Sequence, residues 1–352
     1  VSTANVELRA KVEHLARPES YPDQPLGVEV IETHFAWVFL AGRFVYKLKK
    51  PMRFHDFDFT TLATRRAHCE LEVALNRRLA PHVYVGTVPL CQNGARLALG
   101  GTGLPVEWLV KMHRLPRDRS LDRMADAGLV DDALLRGFVE RLARFYASAA
   151  RAPWDGRTYR RTLASTIERT AAELTEPAFG LPATSIREIA DALTAFTSQR
   201  ADLLHGRVAA GRIVDAHGDL RPEHVFLVAP EPQVIDCLEF SAELRLLDSA
   251  AEIAFLALEC ERLGHGELAR RILDLYSGCC QDRVAEELLA FYRAERAFVR
   301  AKLAAWHLDD RPPPAQAAQW RDQAEWYLAT AAASLALDAA PSVAGSVRAS
   351  TS

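Results

Sequence analysis

At 352 residues, with 25% charged side chains and a formal net charge of −3, the chain is long enough for one large core or two lobes. It lacks the basic footprint of a nucleic-acid binder. Six cysteines (Cys69, Cys91, Cys237, Cys260, Cys279, Cys280) show neither C-x-x-C nor Cys/His zinc spacing, so they read as reduced, mostly buried small hydrophobes. No stretch has a signal-peptide pattern or the apolar length of a membrane span, and the expected setting is soluble and cytoplasmic. The first residue is Val, read as a chain whose initiator Met was removed or omitted.

In chain order, residues 1–15 set Val6, Leu8, Val12 and Leu15 loosely on one helical face, and 17–24 reads as a Pro-containing loop. From Gly27, apolar runs at 28–32, 37–41 and 44–48 with short turns between them predict a three-stranded antiparallel meander. Lys47 and Lys49 share one face of its third strand by the period of two. Residues 62–79 are rich in helix formers and end before Pro81; they carry Glu70 and Glu72. Strands at 83–90 and 96–99 surround a Gln92-Asn93-Gly94 turn, and a further strand at 108–112 is bracketed by Pro105 and Pro116.

Beyond Pro116 the composition turns to Ala, Leu and Arg at helical spacing. Helices are expected at 121–125, 131–150, 159–174, 185–206, 250–263, 267–276, 282–308 and 315–337. Asp131-Asp132 suits a helix N-terminus, where carboxylates meet the positive end of the dipole. Residues 339–352, small and polar, read as a disordered tail. Within the helical part, residues 214–240 (VDAHGDLRPEHVFLVAPEPQVIDCLEF) break the pattern. Two apolar runs, 225–228 and 234–235, flank a Pro-rich turn and predict a β-hairpin. It gathers Asp219, His224, Asp236 and Glu239 near one end, a cluster suited to phosphoryl transfer, where the protein positions groups and neutralises charge.

His217-Gly218-Asp219, a ligand-type residue five positions after the Asp, and Ile235-Asp236 resemble the motifs of the aminoglycoside phosphotransferase-like kinases, small-molecule relatives of the protein kinases. The resemblance covers about residues 28–260. It implies an α+β, protein-kinase-like bilobal fold, with a small antiparallel β N-lobe (1–113) and a mainly helical C-lobe (114–338) holding the 214–240 hairpin. It implies Asp219 as the base that accepts the substrate hydroxyl proton, His217 as a residue that holds the loop, and Asp236 as the Mg²⁺ ligand. Lys47, with Lys49 as runner-up, takes the place of the strand Lys on the ATP phosphates. Glu72 fits the family's helix Glu better than Glu70 does. Residues 111–116, with Met112 and His113, resemble the hinge whose backbone holds adenine. Leu246-Leu247-Asp248 resembles the segment that opens the following helix, with Asp248 as its cap and Arg245 near a carboxylate. The segments THFAWVFLAG, VYKLKKP and NRRLAP further resemble the front half of bifunctional phosphotransferase/ATPase proteins. Since no second domain follows, a free-standing version is expected.

Two features depart from the family. No Gly-x-Gly-x-x-Gly covers the first hairpin, and His224 stands where the family has Asn. Mg²⁺ prefers oxygen ligands, whereas imidazole suits Mn²⁺, Zn²⁺ or Fe²⁺ better. Three readings follow: one metal held by Asp236 with Glu239 replacing the amide oxygen, ready acceptance of Mn²⁺ through His224, or nucleotide binding without turnover. The first is preferred from the spacing of Asp236 and Glu239. The expected activity is ATP-dependent phosphorylation of a small-molecule hydroxyl, sugar or aminoglycoside-like. The alternative is a nucleotide-binding pseudokinase with a regulatory role. An aminoglycoside acceptor would call for acidic residues, for which Glu252, Glu259 and Glu261 are candidates. There is no Gly-x-x-x-x-Gly-Lys-Ser/Thr run, and no Ala-Pro-Glu after Asp236, which disfavours a P-loop NTPase and a protein kinase.

Overall fold

The computed structural model describes residues 7–54, 57–309 and 312–337. The tail expected at 339–352 lies outside the described residues. In chain order, helix α1 (Leu8–Leu15) precedes strands β1 (Val28–Glu32), β2 (Ala36–Ala41) and β3 (Phe44–Lys49). A two-residue pair, β4 (Arg53–Phe54) and β5 (Phe57–Asp58), leads to α2 (Leu62–Asn76). Strands β6 (Tyr84–Asn93), β7 (Arg96–Leu99) and β8 (Leu104–His113) follow. Next come α3 (Leu121–Asp126), α4 (Asp132–Ser148), α5 (Gly156–Leu174), α6 (Ala183–Gln199) and α7 (Ala201–Ala209). Short strands β9 (Ile213–Asp215), β10 (Val225–Phe226), β11 (Gln233–Val234) and β12 (Leu246–Asp248) come before α8 (Ser249–Arg262), α9 (Gly266–Cys279), α10 (Glu286–Trp306) and α11 (Pro314–Ser334).

These elements form two compact units. One runs through Ser148 and takes in His217–Arg245; the other comprises Ala149–Ala216 and the described residues from Leu246 onward. The first unit is built on a six-stranded antiparallel sheet in the order β1-β2-β3-β8-β6-β7. The alternation along β3 divides its side chains cleanly. Tyr46 and Leu48 enter a core with Leu15, Tyr21, Phe39 and Leu109. Val45 packs on the other side with Val110, Met112 and the α2 residues Cys69 and Val73. Lys47 and Lys49 share that second face, so the predicted meander and the placing of its lysines both hold.

Helix α2 is fixed at both ends. Thr61 caps its start by accepting from the Thr64 amide at 3.1 Å. Arg65 reaches the buried Glu107 of β8 with two bonds of 2.9 and 2.8 Å, and Lys11 of α1 joins at 2.9 Å. At its end the helix stops at Asn76, short of the expected 79, because the Leu79 and Ala80 amides both turn back to the Asn76 carbonyl. The segment 214–240, which composition groups with the helices, has its 217–240 portion packed with this unit. The Val234 amide donates to Leu79 O at 3.3 Å and the Cys237 amide to Asn76 Oδ1 at 2.8 Å. Its hairpin is real but shorter than predicted, two residues a side. Pro105 lies inside β8 opposite Cys91, beside an irregularity in the β6–β8 register, and does not bound the strand.

The second unit is helical apart from the β9–β12 pair. The single helix expected at 185–206 is two, α6 and α7, divided at Arg200, which leaves helical geometry with φ −113° and ψ 37°. Asp248 caps α8, accepting from the Ala250 amide at 2.8 Å. It also takes two bonds from Arg207, which binds Asp282 as well, while the Tyr292 and Tyr276 hydroxyls donate to Asp248 and Asp282. Glu252 and Glu259 are buried, and Glu259 accepts from the Tyr327 hydroxyl. Glu261 pairs with Arg293. These three acids are therefore core and paired groups and offer no open acidic surface. All six cysteines are free, four of them buried. Among the described residues no helix is long and apolar enough to cross a membrane.

Arg207→Ala would leave the carboxylates of Asp248 and Asp282 buried without their cation. The expected loss is about 3–5 kcal/mol of stability, read by urea denaturation; a loss below 1 kcal/mol would show the network to be dispensable.

Candidate active site

On the α2 face of the sheet, five ionised side chains alternate in sign. Asp236 Oδ1 lies 2.7 Å from Lys47 Nζ, which lies 3.1 Å from Glu72 Oε1. Glu72 Oε2 is 2.5 Å from Lys49 Nζ, and Lys49 also bonds Glu239. Glu72 is fully buried and Lys49 is 4% exposed. Burial by itself would lower both lysines. The carboxylates outweigh it and raise Lys47 well above its ordinary range, with Asp236 and then Glu72 the main contributors; Lys49 is raised by Glu239 and Glu72. Burial would likewise raise Glu72 and Asp236, yet both are depressed, Glu72 by the two lysines and Asp236 chiefly by Lys47. Glu70, by contrast, is on the solvent side of α2 and pairs with Arg66 at 2.8 Å.

The loop after β9 supplies the other half. Gly218 has φ +87°, and a Cβ there would come within 3.1 Å of Arg245 Cγ and 3.2 Å of Leu238 Cβ, so the turn requires glycine. His217 is wholly buried. Its Nε2 bonds to the Ile235 carbonyl at 2.9 Å, and the Asp219 amide donates to its Nδ1 at 3.3 Å. Burial pushes His217 down to about 4. It is a neutral ring that ties the Asp219 turn to the strand leading into Asp236.

Asp219 is partly exposed, and its Oδ2 lies 3.2 Å from Arg221 Nε. Arg221 extends to Glu223 at 2.8 Å and to His224 Nε2 at 3.1 Å. His224 bridges the two acids: Nδ1 is 3.9 Å from Asp219 Oδ2, and Nε2 is 3.6 Å from Asp236 Oδ2. Asp236 has a left-handed backbone (φ 63°), and its amide donates to the hydroxyl of Tyr84 at 3.1 Å.

The predicted residues Lys47, Glu72, Asp219, His224 and Asp236 thus meet in one cluster. Lys49 and Glu239 stand behind it, bonded to each other, so Glu239 faces Lys49 while His224 is the side chain beside Asp236. Arg245 donates to the Leu238 and Ser241 carbonyls. Met112 is buried in β8 opposite Val45, and the His113 amide is taken by the Val83 carbonyl at 2.8 Å. The Leu115 amide, two residues on, has no partner among the described residues. A concavity of about 380 Å³ at this strand end is lined by Leu40, Glu29 and 114–117. Leu40 pairs with Val45 and Glu29, which puts all three on the face that carries Lys47.

For a divalent cation the donor set fits. Asp236 Oδ2 and His224 Nε2 lie side by side at a partly enclosed corner. Among the described residues no group of three or more His, Cys, Asp or Glu side chains gathers to hold a metal ion. Sequence reasoning missed Arg221, Tyr84 and Asn76. Arg221 is legible as a cation inside the loop; Tyr84 and Asn76 carry no local signal, because only folding brings them to Asp236 and Cys237.

No family model matches this chain. Two curated relatives, uncharacterized proteins of Mycobacterium tuberculosis (strain ATCC 25618 / H37Rv) and Mycobacterium bovis, are each 37% identical over 297 residues. That is 84% of this chain and 58% of each relative, so the chain spans about three fifths of their length. Among solved structures, a choline/ethanolamine kinase family protein from Mesorhizobium loti matches with a TM-score of 0.52 at 14% identity. The match covers 92% of this chain and 98% of that one. Choline kinase LicA from Streptococcus pneumoniae matches with a TM-score of 0.51 at 13% identity, covering 87% and 94%. The chain has the protein-kinase-like fold of these small-molecule kinases, an antiparallel sheet followed by a mostly helical part. That is the fold which the resemblance to the aminoglycoside phosphotransferase-like kinases implies.

Two outcomes test this site. Neutral burial of His217 means that the unfolded chain binds the extra proton first as pH falls. Its contribution is full above about pH 6.5 and is lost between there and about 4, up to about 3 kcal/mol. His217→Asn should flatten that part of the urea-stability profile; an unchanged slope would exclude His217 as its source. Lys49→Met leaves Glu239 without its cation and Glu72 with Lys47 alone, and should cost about 3–5 kcal/mol, with Lys49→Arg recovering part of it. Equal thermal melts for wild type and Lys49→Met would refute the pairing.

Proposed function

We propose that the protein is an ATP-dependent phosphotransferase that moves the γ-phosphoryl group to a hydroxyl of a small molecule. The observation that carries this reading is the joining of Lys47 to Glu72 and Asp236, with Asp219 one imidazole away from the same carboxylate. Lys47, held by Glu72, presents its ammonium to the phosphates. Asp219 orients the acceptor hydroxyl and takes its proton late, as the loose transition state of phosphoryl transfer requires. Arg221, pinned between Asp219 and Glu223, adds positive charge where the transferred group becomes exposed. Met112, His113 and the Leu115 amide border the place for the base. Asp236 and His224 would hold a divalent cation, which would supply neutralisation of the phosphate charge. The acceptor class is a small polar alcohol, sugar or aminoglycoside-like.

One observation favours a second reading, a nucleotide-binding regulator with little turnover: Glu239 is already committed to Lys49, so it is not free to replace the amide oxygen missing at His224. ADP release measured across a metabolite panel separates the two. For the enzyme, Asp219→Ala should lower turnover by about 10²–10⁴ while ATP still raises the melting temperature, and Lys47→Met should abolish that ATP-induced rise. Undiminished ADP release by Asp219→Ala removes this mechanism. A melting rise with ATP but no acceptor-dependent ADP from wild type establishes the regulator.

A further inference from the structure

The side chain at position 224 is only 6% exposed. It closes a short 3-10 turn, Pro222–His224, and its carbonyl accepts from the Ile235 amide at 3.0 Å, one residue before Asp236. The ring orientation is fixed as well. Nδ1 lies 2.9 Å from the Asp219 carbonyl, which can only accept, so Nδ1 carries the proton. Nε2 lies 3.1 Å from Arg221 Nη2, which can only donate, so Nε2 is the accepting nitrogen; Asp236 Oδ2 lies 3.6 Å from it. Arg221 keeps Glu223 at 2.8 Å and Asp219 at 3.2 Å as partners when that bond is given up.

We propose that His224 Nε2 and the Asp236 carboxylate form a mixed nitrogen–oxygen donor pair that makes the site selective for a borderline divalent cation of the Mn²⁺ type over Mg²⁺. An amide oxygen at this position would be a hard donor, suited to Mg²⁺. Imidazole nitrogen is softer and binds Mn²⁺ and the later first-row ions in preference to Mg²⁺. The backbone carbonyl behind Nδ1 is the partner that raises ligand basicity and fixes the tautomer in metal-bound histidines. Two protein donors suffice where nucleotide phosphates fill part of the shell. The inference rests on the phosphotransferase reading, because it takes a metal–nucleotide complex as the occupant.

The test is electron spin-echo spectroscopy of the full chain with MnCl₂ and ADP, alongside a ¹⁵N-labelled preparation so that protein nitrogen is told from adenine nitrogen. Wild type should show modulation from a directly bound protein nitrogen, absent in His224→Asn and in His224→Gln. The Mg²⁺ concentration that displaces half of the bound Mn²⁺ should fall in both variants by on the order of tenfold or more. Tight Mn²⁺–ADP binding without protein-nitrogen coupling overturns the proposal and leaves the phosphotransferase reading standing. Failure of wild type to bind Mn²⁺–ADP at all overturns both.

Discussion

A single buried carboxylate, Glu72, organises the site. It has two lysines on it and no contact with solvent, and each lysine is in turn held by a second acid. An isolated charge at that depth would cost several kcal/mol, so neither Glu72 nor Lys49 is stable there without its neighbours. The row is also what joins three pieces of chain far apart in sequence: β3, α2 and the loop at 236–239. Position rather than extra stability is its product, since buried ion pairs gain little over a well-packed apolar core.

The constraint reaches outward through α2. Arg65 on Glu107 holds one end of the helix against β8, and Asn76 on the Cys237 amide holds the other against the acidic loop. Glu72 lies between these anchors, so its carboxylate height above the sheet is set twice over. The same economy appears at Asp236, whose left-handed backbone is steadied by Tyr84 in front and by the His224 carbonyl on the preceding residue. His217, Asp219 and His224 then form a connected turn in which every ring nitrogen has a defined hydrogen-bonding role.

Much of this was legible beforehand. Apolar runs separated by short turns along residues 28–48 predict the meander, and the strand period of two puts Lys47 and Lys49 on one face. The spacing in 217–239 singled out the acids. The break at Arg200 within 185–206 escapes sequence reading because neither Gly nor Pro marks it. Pro105 was taken as a boundary for the converse reason: an edge-like residue is tolerated inside β8 where the register with β6 is already irregular. The acids of α8 are candidates for binding a polycationic acceptor by sequence, yet Glu252 and Glu259 are interior.

The sequence by itself determined the kind of element at nearly every position and which residue types could carry phosphate chemistry, because turn residues, periodicity and charge are local properties. Only the tertiary structure decided which lysine meets which acid. It set Lys47 on Asp236 and Lys49 on Glu239, turned His224 rather than Glu239 toward the Asp236 carboxylate, and recruited Tyr84 and Asn76. The physical reason is that a partner for a buried charge is chosen by desolvation and distance, and neither exists until chain segments over a hundred residues apart, such as Lys47 and Asp236, have packed together.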